Sequence, residues 1–223
     1  MTDHISAIRL RGVLPRVFDN AGDRERVAGS DVMLRDVDFE RGRAYCLNAS
    51  SGRGKSSLCS FLYGARRDYV GKILLDDTDI ASLSINDICR LRRDKLAYLP
   101  QELEVFASLT ALENVILKNR LSDYKSESEI RKMFEQLAID DCLDRPAGRM
   151  SVGQRQRMAL IRALCQPFDF IILDEPVSHL DRGNNETCAR MVADEAAALG
   201  AGIISTSVGN PLLLPIPVIP MQL

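Results

Sequence analysis

Asn48-Ala49-Ser50-Ser51-Gly52-Arg53-Gly54-Lys55-Ser56-Ser57 nearly spells a phosphate-binding loop. The usual pattern is Gly, four residues, then Gly-Lys-Ser or Gly-Lys-Thr; Gly54-Lys55-Ser56 fits it, and Ala49 stands where the first glycine belongs. The physics of such a loop is specific. Glycines let successive backbone N–H groups turn inward into an anion nest, and the helix that follows adds its positive N-terminal dipole. In that reading Ser51, Gly52, Arg53, Gly54, Lys55, Ser56 and Ser57 are candidate nucleotide-binding positions, with Lys55 on the outer phosphates and Ser56 on magnesium. A Gly/Ser-rich turn between a strand and a helix can also be only a turn, so the neighbouring segments decide.

Residues 43–47 read as a short apolar strand entering the loop and residues 55–63 as a helix leaving it, the context the motif requires. A nucleotide loop also needs a carboxylate for magnesium. The nearly all-apolar run 168–173 suits a strand buried on both faces of a parallel sheet, and it ends at Asp174-Glu175-Pro176. Asp174 is placed to ligate the water shell of Mg²⁺, and Glu175 to orient and deprotonate a water in line with the γ-phosphate. An acidic pair can merely end a strand; here it follows four apolar residues in a chain that carries the glycine loop. Gln101 follows Pro100 and an expected strand over 95–99, where a neutral amide could serve both magnesium and the attacking water. Taken alone, a glutamine after a proline is more often solvated.

Elsewhere, residues 5–13 and 32–39 alternate apolar and polar side chains as half-buried antiparallel strands do, with turn chemistry at Asn20-Ala21-Gly22-Asp23 and Gly29-Ser30. Residues 71–75 read as a strand, 76–79 as its turn, and Ser84 with Asp87 as the start of a helix over 85–93. The character then changes. Thr110 with Glu113 and Ser126 with Glu129 have capping-box spacing, and Ile130, Met133, Phe134 and Leu137 follow helical periodicity, so a helical insert is expected over about 108–143. Ser151 opens a helix to 165, residues 184–199 form another that stops at Gly200, and 201–205 make a short buried strand. The proline-rich tail after Val208 is assigned no function.

At 223 residues the chain can bury one good core, or one core carrying an inserted subdomain. A net charge of -2 gives no basic footprint, so no nucleic-acid partner is expected. Six scattered cysteines without a Cys-x-x-Cys pair read as small core residues in a reducing compartment, without structural zinc. The start, Met1-Thr2-Asp3-His4, lacks a basic flank and an apolar stretch behind it, so secretion is not expected. The most apolar segment, 211–221, is cut by Pro215, Pro217 and Pro220 and falls short of the ~20 residues a spanning helix needs.

The order of the motifs resembles the ATP-binding subunit of an ABC (ATP-binding cassette) transporter over nearly the whole chain. The resemblance is carried by residues 49–57, Tyr98-Leu99-Pro100-Gln101, Met150-Ser151-Val152-Gly153-Gln154-Arg155-Gln156-Arg157, Ile172-Leu173-Asp174-Glu175-Pro176 and Ser178-His179-Leu180-Asp181. Residues 109–115 are similar to the lipoprotein-release and macrolide-efflux branch. The fold implied is α/β: a P-loop NTPase core with a mainly parallel sheet, an N-terminal antiparallel β layer and an inserted helical subdomain. A single domain 1–223 is expected, with the subdomain over 108–165. The resemblance implies ATP and Mg²⁺ as cofactors, with Ser56, Gln101 and Asp174 toward the metal. It also implies that Ser151, Val152, Gly153 and Gln154 reach, as the signature motif, across a head-to-tail dimer to the γ-phosphate held by the partner. Ser151 and Gln154 also have the spacing of a helix cap, and both roles are compatible. Asp181 matches the D-loop. Phe18 is a candidate for stacking on adenine, with a core or loop role equally open.

Three positions depart from the family pattern. Ala49 and Val152 each add a Cβ near a phosphate-binding backbone, at a cost of about 1–2 kcal/mol if either needs positive φ. Ser207 stands where the family has its switch histidine; the chain has only His4 and His179, and neither fits. Losing one preorganised donor costs roughly 10²- to 10³-fold in rate, so slow ATP hydrolysis is expected, with Ser207 as a partial replacement. The leading reading is an energy subunit that dimerises on ATP and drives a separate integral membrane permease, lying at the cytoplasmic face of the membrane through that partner. Two alternatives stay open: a non-transport ABC-type ATPase that regulates an envelope or division complex, and a nucleotide sensor without useful turnover. DNA-repair ATPases of this type are disfavoured by the shortness of the helical insert.

Overall fold

Two sheets share the work of burying this chain, and their residue patterns differ accordingly. The computed structural model describes residues 4–20 and 27–223; positions 21–23 of the expected turn and Met1-Thr2-Asp3 lie outside them. Strand β1 (Ala7–Pro15) pairs antiparallel with β2 (Asp36–Glu40) and with β4 (Tyr69–Leu75), and the short β5 (Thr78–Asp79) extends the layer to the order β2-β1-β4-β5. The second sheet is parallel. It is built from β3 (Ala44–Asn48), β6 (Leu96–Leu99), β7 (Phe170–Leu173), β8 (Gly202–Ser207) and β9 (Val218–Gln222), in the order β6-β7-β8-β3-β9.

Every residue of β7 and of β8 is buried, as both faces of the parallel sheet are covered. Strand periodicity sends alternate side chains to opposite cores. Phe170, Ile172 and Ile204 join the core shared with the antiparallel layer and helix α1 (Lys55–Leu62). Ile171, Leu173 and Ile203 join the core under the helices on the other face. Those helices are α3 (Ala111–Asn119), α4 (Glu127–Gln136), α5 (Val152–Leu164) and α6 (Arg182–Leu199); α2 (Ile85–Asp94) leads into β6.

The helix starts expected from sequence are present as reciprocal capping boxes at Ser84/Asp87, Thr110/Glu113, Ser126/Glu129 and Ser151/Gln154. Gly200 ends α6 at φ 60, as a left-handed C-cap does. Helix α6 begins ahead of the expected residue 184, because the Asp181 carboxylate accepts from Asn184 N–H and caps the chain there. The expected strand 32–39 is shorter than its pattern. Ser30 Oγ accepts from the N–H groups of Val32 and Met33, and Leu34 turns to φ 58, so pairing starts only at Asp36. The proline-rich tail is not unstructured, because β9 pairs in parallel with β3. Pro220 is tolerated on this outermost strand, which needs donors on one side only.

None of the six cysteines is bridged, and five are buried. Burial pushes the thiols of Cys165 and Cys188 up to about 12, which keeps them as inert core residues. Among the described residues no helix is long and apolar enough to cross a membrane.

At the N-terminal end of the parallel sheet, Asp169 is 2% exposed and gathers three other segments of the chain. It accepts from Ile5 N–H at 2.9 Å and lies 2.7 Å from His4 Nδ1, 3.4 Å from Arg41 Nε and 3.7 Å from Lys95 Nζ. Asp169→Ala leaves Arg41 and Lys95 without their buried carboxylate. It should cost about 3 kcal/mol, the low end for breaking a buried pair, because Arg41 and Lys95 also reach solvent. A fall in the urea midpoint at constant slope would report it; an unchanged midpoint would show that the network carries no stability.

Candidate functional site

The glycine loop joins β3 to α1 at the C-terminal edge of the parallel sheet, where open α/β sheets offer a crevice. Gly54, the residue before α1, has φ 87, and a Cβ built on it would lie 2.9 Å from the Phe18 ring, so only glycine fits. The same contact places Phe18 against the loop, at the end of a short 3₁₀ turn. A cleft of about 250 Å³ is lined by Phe18, Ser51, Gly52, residues 54–57, Gln101 and Glu175. Arg53 is exposed and does not line it.

Lys55 is 4% exposed, and its ammonium donates to the carbonyls of Ala49 and Ser50, both at 3.1 Å, while lying 3.5 Å from Glu175 Oε1. Ser56 Oγ donates to Gln101 Oε1 at 3.2 Å, so two residues 45 apart in sequence meet at one point. Asp174 is 1% exposed. Its Oδ1 accepts from Thr206 Oγ at 2.7 Å, and its Oδ2 is buried without a protein partner. A buried carboxylate oxygen left unpaired is costly unless a cation or an ordered water completes it. With a hydroxyl and an amide oxygen meeting nearby on the same edge, the donors are all oxygen, the set that suits a hard divalent cation. These residues therefore fit Mg²⁺. The charge of Asp174 also reaches Cys59 on α1, whose thiol is pushed up first by burial and then by that carboxylate.

Glu175 has φ 50. Its N–H donates to Thr206 Oγ at 3.0 Å, and its carbonyl accepts from Gln156 Nε2 at 3.1 Å. Ser207, at the end of β8 in register with Asn48, is 1% exposed; its Oγ has no partner and its carbonyl accepts from Ala49 N–H at 3.2 Å. Two of the sequence departures carry no backbone strain, since neither Ala49 nor Val152 is among the described residues with positive φ.

The signature residues are elsewhere on the surface. Ser151 caps α5, accepting from Gln154 N–H at 3.2 Å, while Gln154 Oε1 accepts from Ser151 N–H at 2.9 Å. Val152 is 43% exposed, and Gly153 lies against Leu180 and the His179 carbonyl. None of these four, nor Asp181, lines the cleft of its own chain. The bond from Asn184 N–H holds the Asp181 carboxyl below its ordinary range. Sequence reasoning assigned no role to Thr206, which bonds both acidic residues, or to Gln156, which holds the Glu175 carbonyl. For Thr206 the available signal was a run of polar residues, Ser205-Thr206-Ser207, in a strand otherwise apolar and buried.

Residues 34–178 match the family model described as ABC transporter. The chain belongs to the ABC transporter ATP-binding family. It is 34% identical over 184 residues to the uncharacterized ABC transporter ATP-binding protein Rv2564 of Mycobacterium tuberculosis, covering 81% of this chain and 55% of that protein. The chain thus spans about half the length of such relatives. The lipoprotein-releasing system ATP-binding protein LolD of Syntrophotalea carbinolica is 31% identical over 161 residues, 71% of each chain. The solved dimeric structure of the bacterial ABC transporter cassette MJ0796 superposes with a TM-score of 0.76 at 19% identity, covering 96% of this chain and 94% of that one. That likeness bears out the α/β P-loop NTPase fold expected from sequence.

Thr206→Val removes the hydroxyl shared by Asp174 and Glu175 at constant shape. It should cost about 1–3 kcal/mol in thermal unfolding, while Thr206→Ser stays near wild type. Equal stability of the Val variant would show that neither bond holds the site.

Proposed function

We propose that this chain is the ATP-binding and ATP-hydrolysing subunit of an ABC transporter, working as an ATP-dependent homodimer on a separate membrane permease. The observation that carries this reading is the convergence of Lys55, Ser56, Gln101 and Glu175 on one cleft, with the unpaired Asp174 Oδ2 on the same sheet edge. Lys55, now donating to loop carbonyls, would turn to the outer phosphates, and Phe18 offers a ring for the base. Ser56, Gln101 and Asp174 would hold Mg²⁺, whose charge offsets that developing on the phosphoryl oxygens. Glu175 would take a proton from the attacking water, and the Ser207 hydroxyl would donate to the γ-phosphate.

The signature residues lie outside their own cleft, which supports their serving a second copy: Ser151 caps a helix whose N-terminus suits a partner's phosphate. In this reading residues 108–165 act as a helical subdomain within a single domain 1–223. A groove of about 370 Å³ behind the Gln101 turn, flanked by the exposed side chains Phe106, Leu117 and Leu121, is the surface we assign to the permease. Docking there would place the chain at the cytoplasmic face of the membrane and couple transport to Gln101.

Ser207 favours a second reading. A serine is shorter than the histidine of the family pattern, and its Oγ is buried without a partner among the described residues, which supports a weakened contact to the γ-phosphate. A nucleotide sensor that turns over slowly would keep the binding groups and dispense with speed.

Phosphate release from MgATP decides between them. Wild type should exceed Glu175→Gln by roughly 10²-fold or more. Equal background from both proteins would rule out hydrolysis at this site. Ser207→His should raise the rate, by up to roughly 10²-fold; no change would mean that the γ-phosphate is held by other groups.

A further inference from the structure

Seven described non-glycine residues have positive φ, and the carbonyls of four of them (Leu103, Glu104, Ala138 and Glu175) accept hydrogen bonds from side chains of the single helix α5. The attachment at Glu175 reaches the cleft, and those at Leu103 and Glu104 lie behind the turn that carries Gln101, beside the second groove. Gln156 is 3% exposed and its amide is fully used: Nε2 donates to the Glu175 carbonyl at 3.1 Å and to Ser178 Oγ at 3.3 Å, and Oε1 accepts from His179 N–H at 3.2 Å. Arg162, near the other end of the helix, donates through Nη1 to the Glu104 carbonyl at 2.8 Å and through Nη2 to the Leu103 carbonyl. Leu103 at φ 59 and Glu104 at φ 46 follow directly behind the Gln101 turn.

Left-handed backbone at ordinary L-residues is unfavourable and persists where its surroundings over-determine it. Here one rigid element, α5, supplies a side-chain bond to each of these carbonyls. The main chain of Glu175 is fixed on both sides, its N–H by Thr206 and its carbonyl by Gln156. The turn behind Gln101 is fixed by a guanidinium whose planar fork spans two successive carbonyls, a geometry a lysine cannot match.

We propose that α5 positions both reacting loops, with Gln156 and Arg162 as its positioning residues: Gln156 sets where the Glu175 carboxylate lies, and Arg162 sets the turn that presents Gln101. The helix begins at Ser151, so a phosphate docked on its N-terminus from a second copy would bear on both loops through one body. This inference rests on the hydrolysis reading above, since it assigns roles in the same reaction. It adds that the two groups are held by a common element and that neither Gln156 nor Arg162 touches nucleotide.

The test uses the full chain with Gln156→Met and Arg162→Met, which keep bulk and remove the bonds, and Arg162→Lys, which keeps one donor. Steady-state hydrolysis should show kcat down roughly tenfold for each Met variant with KM for MgATP within about twofold, and Arg162→Lys in between. Amide exchange should show the His179 N–H losing protection in Gln156→Met, while the amides of β7 keep theirs. Wild-type kcat in both Met variants would overturn the proposal, as would a loss of kcat accompanied by lost protection throughout β7, the mark of a merely destabilised fold. Absence of turnover in wild type would defeat the hydrolysis reading instead. The His179 exchange result would then decide the positioning role on its own, with unchanged protection overturning it.

Discussion

One hydroxyl, that of Thr206, joins the two consecutive acidic residues that follow β7 by opposite ends. It donates to Asp174 Oδ1 and accepts from the N–H of Glu175, so a single rotor sets the direction of one carboxylate and the backbone of the next residue. The consequence for Asp174 is that Oδ1 is spent inside the protein and Oδ2 alone is left over, buried and unpaired. The N–H that Thr206 holds on Glu175 belongs to a left-handed backbone that ordinary L-residues disfavour. Because Thr206 sits on β8 and the acids follow β7, the bond depends on the parallel pairing of those strands, which the covered faces of the sheet enforce.

That pairing also explains where the cleft lies. Strands β3, β7 and β8 are neighbours in the sheet and end at the same edge, so the glycine loop, the acidic pair and Ser207 are delivered together although they are spread over the chain from residue 48 to residue 207. The opposite edge is tied by Asp169 to the N-terminal strand and to the loop before β3. The sheet is thus fastened at one end and left chemically open at the other. Helix α5 spans the second core and meets the open edge through Gln156, linking a surface-exposed cap at Ser151 to groups inside the cleft.

Much of this was legible in the residues. The loop, the apolar run before Asp174 and the capping pairs are local patterns whose physics is complete within a few residues, and each is found where its spacing puts it. The placement of Gln101 near Ser56 was legible only from its position between the other motifs, since nothing local distinguishes it from a solvated glutamine. What stayed hidden depends on contacts distant in sequence. Ser30 truncates an alternating pattern by capturing two backbone N–H groups. The tail adds β9 to the edge of a sheet whose open side no local pattern announces. Gln156 and Arg162 look like ordinary polar residues of an amphipathic helix until their partner carbonyls, 19 and 58 or more residues away, are known.

In the function proposed above, the cleft is half of a composite site completed by the helix that starts at Ser151 in a second copy. Sedimentation of Glu175→Gln at fixed protein concentration addresses it directly, because slowed hydrolysis lets a nucleotide-bridged dimer persist. A dimer with MgATP and a monomer with MgADP are expected. A monomer under both conditions, at nucleotide concentrations that saturate binding, would contradict the composite site.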